Sequence, residues 1–197
     1  MFRDDTLFLQ RFLKSAGFYK GDLDNLYGPL TEKAVSDFED SCDNIASGYG
    51  NFDKRSEQHI TTLHPLAQEK AREFLNALKE DDLDGAVVKI ISGTRTYAEQ
   101  AEIYAQGRTK PGKIVTKAGP GQSNHNFGIA WDVGLFKDGD YLEESPLYKK
   151  VGKTGKRLAL EWGGDWSSFV DQPHFQMLTG QSLSETRKKF EKGIAYL

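Results

Sequence analysis

The stretch Ser123–Phe136, SNHNFGIAWDVGLF, changes character at Gly128. From there onward it alternates as a strand does: Ile129, Trp131 and Val133 fall on one face, Ala130 and Asp132 on the other. A carboxylate held inside such an element is costly unless it is paired or bound to a metal. His125 lies just before Gly128, in a loop able to fold back over the strand, so the sequence spacing need not separate it from Asp132.

A partner segment occurs late in the chain. In FVDQPHFQM, residues 169–177, Pro173 disfavours helix for the residue before it, which places Asp171 and His174 on a turn entering a strand. Two histidines and one aspartate, His125, Asp132 and His174, suffice for a zinc site that keeps a fourth position open for water, the arrangement of a catalytic site. Asp171, near His174 but free of the metal, is the candidate to take a proton from water and return it to a leaving amine. Arg95 is the candidate to stabilise negative charge developing on a tetrahedral intermediate.

The surrounding pattern is mixed α and β. GAVVKIIS, residues 85–92, is β-branched and nearly continuous, and reads as a buried strand. Thr96 and Glu99 form a capping-box pattern that opens a helix ended by Gly107, so Arg95 falls where a strand gives way to a helix. PLAQEKAREFLNALKE, residues 65–80, carries Leu66, Ala67, Ala71, Phe74, Leu75 and Leu78 on one helical stripe, with Pro65 placed to start it. His59 and His64 read as structural residues, Trp162 and Trp166 as core or pocket wall. The tail SETRKKFEKG, residues 184–193, reads as a solvated helix.

The N-terminal block has a different texture. Phe8, Leu9, Phe12 and Leu13 recur at helical spacing and Gly17 follows as a C-cap. After a loop rich in Gly, Asp and Asn, Thr31 can cap a second helix with Ala34, Val35 and Phe38 along one face; KRSEQHITTL, residues 54–63, supplies a third. CDNIASGYGNFD, residues 42–53, lacks periodicity and reads as a linker. Residues 1–49 hold nine acidic and five basic residues, an asymmetry with the rest of the chain that favours two units, 1–49 and 50–197.

Composition narrows the classes. With 197 residues, 38% hydrophobic, 12% aromatic and 28% charged, the chain has the makeup of an ordinary soluble protein with room for a substantial core. A net charge of −3 leaves no excess of Lys and Arg to neutralise a nucleic-acid backbone. No apolar run approaches bilayer length, and no coiled-coil seam is left over, so a monomer without a membrane span is expected. One cysteine, Cys42, excludes an intrachain disulfide and a cysteine-rich zinc site. MFRDDTLFLQ puts two aspartates where a secretory signal carries basic and then apolar residues. The expectation is a protein made in the cytoplasm and released, or exported by another route.

Two resemblances join these readings. Leu9-Gln10, Leu13, Gly17-Phe18-Tyr19, Gly21, Asp24, Tyr27-Gly28-Pro29, Thr31, Ala34-Val35 and Phe38 resemble the peptidoglycan-binding helical repeat at the ends of many cell-wall hydrolases. Asn25 and Glu39 depart from that pattern, which usually has glycine and glutamine there. Residues 52–177 resemble the zinc peptidases of the D-alanyl-D-alanine carboxypeptidase/endopeptidase superfamily, through Ser-x-His-x-x-Gly-x-Ala-x-Asp followed by Asp-x-Pro-His. Its L-alanyl-D-glutamate endopeptidase branch, known from phage endolysins and wall-remodelling enzymes, is the most similar. This resemblance implies an α+β fold, a small antiparallel sheet with flanking helices of the Hedgehog-like type, preceded by the small helical module. It implies Zn2+ on His125, Asp132 and His174, a general base at Asp171, an oxyanion-stabilising Arg95, and Ser123 near the substrate, a peptidoglycan stem peptide. A D-Ala-D-Ala carboxypeptidase, or a noncatalytic wall-binding protein of the same fold, stays open as an alternative.

Overall fold

The apolar run after Gly128 becomes β2 (Ala130–Lys137), the strand around which an antiparallel sheet is built in the computed structural model, which describes residue 2 and residues 4–197. β1 (Val87–Ser92) pairs along one edge of β2 and β5 (His174–Met177) along the other, with β4 (Leu160–Trp162) outside β5. The short β3 (Asp140–Tyr141) pairs with the far end of β2. One face of this sheet is apolar: Trp131, Val133, Leu135, Leu160, Trp162 and Phe175 are buried in one cluster with residues of α4 (Pro65–Leu78) and α6 (Leu147–Arg157). The alternation that buries them turns Asp132, Glu161, His174 and Gln176 to the other face.

Residues 42–93 and 129–178 form one compact unit and residues 1–41, 94–128 and 179–197 another. In the first, α3 (Lys54–Ile60) is capped by Asp53, and Ser56 Oγ accepts a hydrogen bond from the Ile90 amide on β1. Arg72 on α4, with no solvent exposure, donates from both terminal nitrogens to the Glu57 carboxylate and from Nη1 to the Gly50 carbonyl. α3 is the third helix expected at residues 54–63. β1 is an edge strand, paired only with β2, so Val87 stays half exposed and only Ile90 is fully buried, where the sequence implied a buried strand throughout. Leu66, placed on the buried stripe of α4, is exposed at the first turn.

The other unit contains α1 (Thr6–Ser15), α5 (Tyr97–Ala105) and α7 (Leu183–Glu191). Phe8, Leu9, Phe12 and Leu13 are buried as their spacing predicts. α2 (Pro29–Tyr49) starts at Pro29, two residues before the expected cap, because proline suits the first helical position. It also runs through residues 42–49, expected to be linker: the helix needs no apolar stripe there, and Cys42 alone is buried. Gln10, fully buried, donates to Asp24 Oδ1 at 2.7 Å and accepts from the Asn25 amide at 2.9 Å, which ties the loop to α1. Asn25 has φ +61°, so the residue standing where the repeat usually has glycine is the side chain that best tolerates that conformation. The tail is not merely solvated. Phe190 on α7 is fully buried and packs its ring against Phe8, Phe127 and Tyr196.

Candidate metal centre

His125 sits on a single 3₁₀ turn, Asn124–Phe127, that delivers the chain to β2. Ser123 caps the turn, its Oγ accepting from the His125 amide, and Gly128 ends it with φ +67°, a conformation that would strain a side chain. Asn126, fully buried, donates from Nδ2 to the Arg95 carbonyl at 2.8 Å and accepts from the Gly121 amide at 3.0 Å. The Arg95 amide in turn donates to the His125 carbonyl at 3.1 Å. Arg95 precedes Thr96, whose capping box with Glu99 opens α5 as expected. From the C-terminal segment, Tyr196 donates to the Phe127 carbonyl at 2.5 Å.

Asp132 and His174 are direct cross-strand partners on β2 and β5, with Oδ1 and Nδ1 3.1 Å apart. A bulge between Ile90 and Ser92 lies opposite Asp132. Asp171 occupies the turn before β5. Its amide donates to the Gly163 carbonyl at 2.9 Å and its carbonyl accepts from the His174 amide at 3.2 Å, so the turn is held at both ends. A Cβ at Gly163 would stand 2.5 Å from the Asp171 carbonyl oxygen, which explains a glycine there. Burial disfavours the charged imidazolium of His174, but the hydrogen bond and charge of Asp132, with Gln176 and the charge of Asp171, outweigh it and raise its pKa above the ordinary value.

The ligand atoms of His125, Asp132 and His174 lie within 4.8 Å of one another, and both histidines are buried. Two imidazoles and a carboxylate converging in this way fit zinc, and three protein ligands are the number that leaves a position for water or substrate. Of the other two histidines, His64 caps α4 and His59 ends α3, the structural places expected of them. Trp162 is core, and Trp166 lies against His174 with ring centroids 4.9 Å apart.

Sequence reasoning did not single out Asn126, Gln176 or Glu161. Gln176 Oε1 is 3.0 Å from His174 Nε2, and its Nε2 donates to Glu161 Oε2 at 2.9 Å; Trp166 Nε1 donates to Glu161 Oε1 at 2.7 Å. The signal was present: Gln176 is two residues beyond His174 and Glu161 is its cross-strand partner, so both share the face of the ligands. Asn126 gave no such signal, because the carbonyls it donates to, those of Arg95 and Thr96, are about thirty residues away.

A three-residue nitrogen and oxygen donor set beside an ionisable carboxylate, on the polar face of a small antiparallel sheet, defines a zinc metallopeptidase. Residues 116–177 match a family described as D-alanyl-D-alanine carboxypeptidase, and residues 3–49 a putative peptidoglycan binding domain. The chain is 39% identical over 126 residues to the peptidoglycan L-alanyl-D-glutamate endopeptidase CwlK of Bacillus subtilis (strain 168), covering 59% of this chain and 74% of that one. It is 33% identical over 105 residues to an L-alanyl-D-glutamate peptidase of Listeria phage A118, covering 49% of this chain and 37% of that one. The solved L-Ala D-Glu endopeptidase ChiX of Serratia marcescens superposes with a TM-score of 0.50 at 27% identity, over 66% of this chain and 90% of that one. The chain belongs to the L-alanyl-D-glutamate endopeptidase branch of the D-alanyl-D-alanine carboxypeptidase/endopeptidase zinc peptidases, with an N-terminal peptidoglycan-binding module.

Proposed function

We propose that this protein hydrolyses the L-Ala to D-Glu bond of peptidoglycan stem peptides. The observation that carries the reading is the convergence of His125, Asp132 and His174 in a chain 39% identical to an enzyme named for that activity. These three side chains would hold zinc, which supplies a Lewis acid for the scissile carbonyl and lowers the pKa of the water it binds to about 7.

The chain's own groups do the rest. Asp171, fixed by its turn, takes a proton from the attacking water and returns it to the leaving amine. Arg95, whose backbone is tied to the histidine turn, presents a permanent positive charge toward the oxygen that becomes negative. Ser123, two residues from His125 and capping its turn, lies near the substrate in this reading. Residues 1–49, which match a putative peptidoglycan binding domain over 3–49, hold the enzyme on the wall and raise local substrate concentration without changing the chemistry, with residues 50–197 as the peptidase. The likeness to a phage peptidase supports release through a lysis pathway, and the protein acts as a monomer.

Digestion of purified peptidoglycan followed by mass spectrometry tests the specificity. New D-Glu amino termini are expected; release of single D-Ala residues would overturn it in favour of a carboxypeptidase. Asp171→Ala should lower kcat about 10²- to 10⁴-fold while zinc content stays stoichiometric. A variant as active as the parent would remove Asp171 from the mechanism.

A further inference from the structure

The polar face of the sheet carries a hydrogen-bond chain that places a proton on one nitrogen of His174. The Glu161 carboxylate is an acceptor on both oxygens: Trp166 Nε1–H donates to Oε1, and the amide of Gln176 meets Oε2 at 2.9 Å. Gln176 must therefore present its NH₂ group to Glu161 and its carbonyl oxygen to His174. That oxygen, 3.0 Å from His174 Nε2, accepts a proton from it. With the proton held on Nε2, the lone pair of neutral His174 is on Nδ1, the nitrogen that faces Asp132 at 3.1 Å. Cross-strand pairing of Glu161 with Gln176 and of Asp132 with His174 sets the row in register, and the Trp166 ring packs on the imidazole at the end of it.

We propose that Gln176, oriented by Glu161, is a positioning residue that selects the His174 tautomer able to bind zinc through Nδ1. The inference rests on the reading of His174 as a zinc ligand. Ligating histidines commonly have the second ring nitrogen bound to a carboxylate, carbonyl or water, and loss of that partner typically costs 10- to 100-fold in metal affinity. Here an amide is interposed, so the direction of the Gln176 carbonyl depends on a charge one residue further out.

That dependence makes a specific test. Zinc affinity of the full-length metal-free protein is measured by competition with a chromophoric chelator, the cobalt-substituted d–d spectrum reports the ligand field, and ¹⁵N shifts of the His174 ring report its tautomer. Gln176→Leu, close in volume but without the acceptor, is expected to weaken zinc binding 10- to 100-fold. Glu161→Gln, with no contact to the imidazole ring through its own changed atom, is expected to do nearly the same. Trp166 then holds the new carbonyl, two NH₂ groups face each other, and relief comes by turning the Gln176 amide so that it donates to Nε2 and drives the proton to Nδ1. The exchanged pair Q176E/E161Q restores every donor to an acceptor and is expected to recover zinc affinity to within about 3-fold of the parent. A purely structural role would lower the melting temperature of the metal-free variants without changing zinc affinity where they are folded. Gln176→Leu or Glu161→Gln binding zinc within 3-fold of the parent, or failure of the exchanged pair to recover, overturns the proposal. Failure of the parent itself to bind zinc overturns the ligand reading beneath it.

Discussion

Gly155 lies near the end of α6, in ordinary helical backbone, and helix propensity alone says that alanine there should stabilise the protein by about 1 kcal/mol. Packing says the opposite. A Cβ on residue 155 would stand 2.5 Å from Phe175 Cε1 and 2.7 Å from Cδ1, where ordinary contact begins near 3.4 Å. The ring or the helix must therefore move by about 1 Å. Phe175 is fully buried and has the Phe74 ring at 4.6 Å between centroids and the Trp162 ring at 6.5 Å, so there is no open side for it to move into. Overpacking costs about 1–3 kcal/mol in general, and with no open side to relax into this site falls in the upper part of that range, about 2–3 kcal/mol, which exceeds the propensity gain and leaves Gly155→Ala destabilised by about 1–2 kcal/mol. In a chain of this length that is a fall in Tm of about 2–8 °C. Phe175 is also the residue after His174, so the strain is applied to the strand that carries one of the three candidate zinc ligands. A displacement of about 1 Å can cost up to 10²-fold in rate. Urea unfolding gives the stability, and clearing of a peptidoglycan suspension per mole of folded enzyme gives the activity. A Gly155→Ala protein that is as stable as the parent, or more so, would refute the packing argument.

Glu57→Ala leaves the fully buried Arg72 without its carboxylate and is expected to cost about 3–5 kcal/mol by urea unfolding, whereas replacing both residues by apolar ones of similar volume should be close to neutral. Burial pushes the His64 imidazole from 6.5 down to about 4. Between those values the unfolded chain holds a proton that the folded chain lacks, so stability falls as pH drops through that window, by about 3 kcal/mol in all. His64→Asn keeps a helix cap but removes that contribution, and its pH–stability curve from urea unfolding should be correspondingly flatter below pH 6.5; an unchanged slope would discard the assignment. Chelation of zinc is expected to abolish wall hydrolysis and to lower Tm, since a ligand present at about 1,000 times its Kd stabilises by about 4 kcal/mol. Both effects should reverse on adding zinc, and a chelator-treated enzyme with full activity would exclude the metal mechanism.

Much of the centre was legible because strand periodicity is local. Alternation in GIAWDVGLF puts Asp132 opposite the core face, and Pro173 marks the turn that brings His174 into a strand; both follow from steric rules acting over two or three residues. The helices of residues 6–15, 65–78 and 97–105 were visible for the same reason, through caps and apolar spacing. Where local pattern misled, a neighbour decided. Residues 85–92 look like a buried strand by composition, yet pairing on one edge only leaves Val87 half exposed. The charged tail hides one aromatic anchor, Phe190, whose burial depends on rings from α1 and from the histidine turn.

The sequence by itself determined which residue types were available for chemistry and which face of each strand they would occupy, because backbone geometry repeats every two residues wherever a strand forms. Only the tertiary structure decided which strands lie side by side and in what register. That register sets Asp132 against His174 and Glu161 against Gln176, the pairings on which the proposed tautomer of His174 rests. Register depends on hydrogen bonds between segments up to about forty residues apart, and no rule of spacing along the chain encodes it.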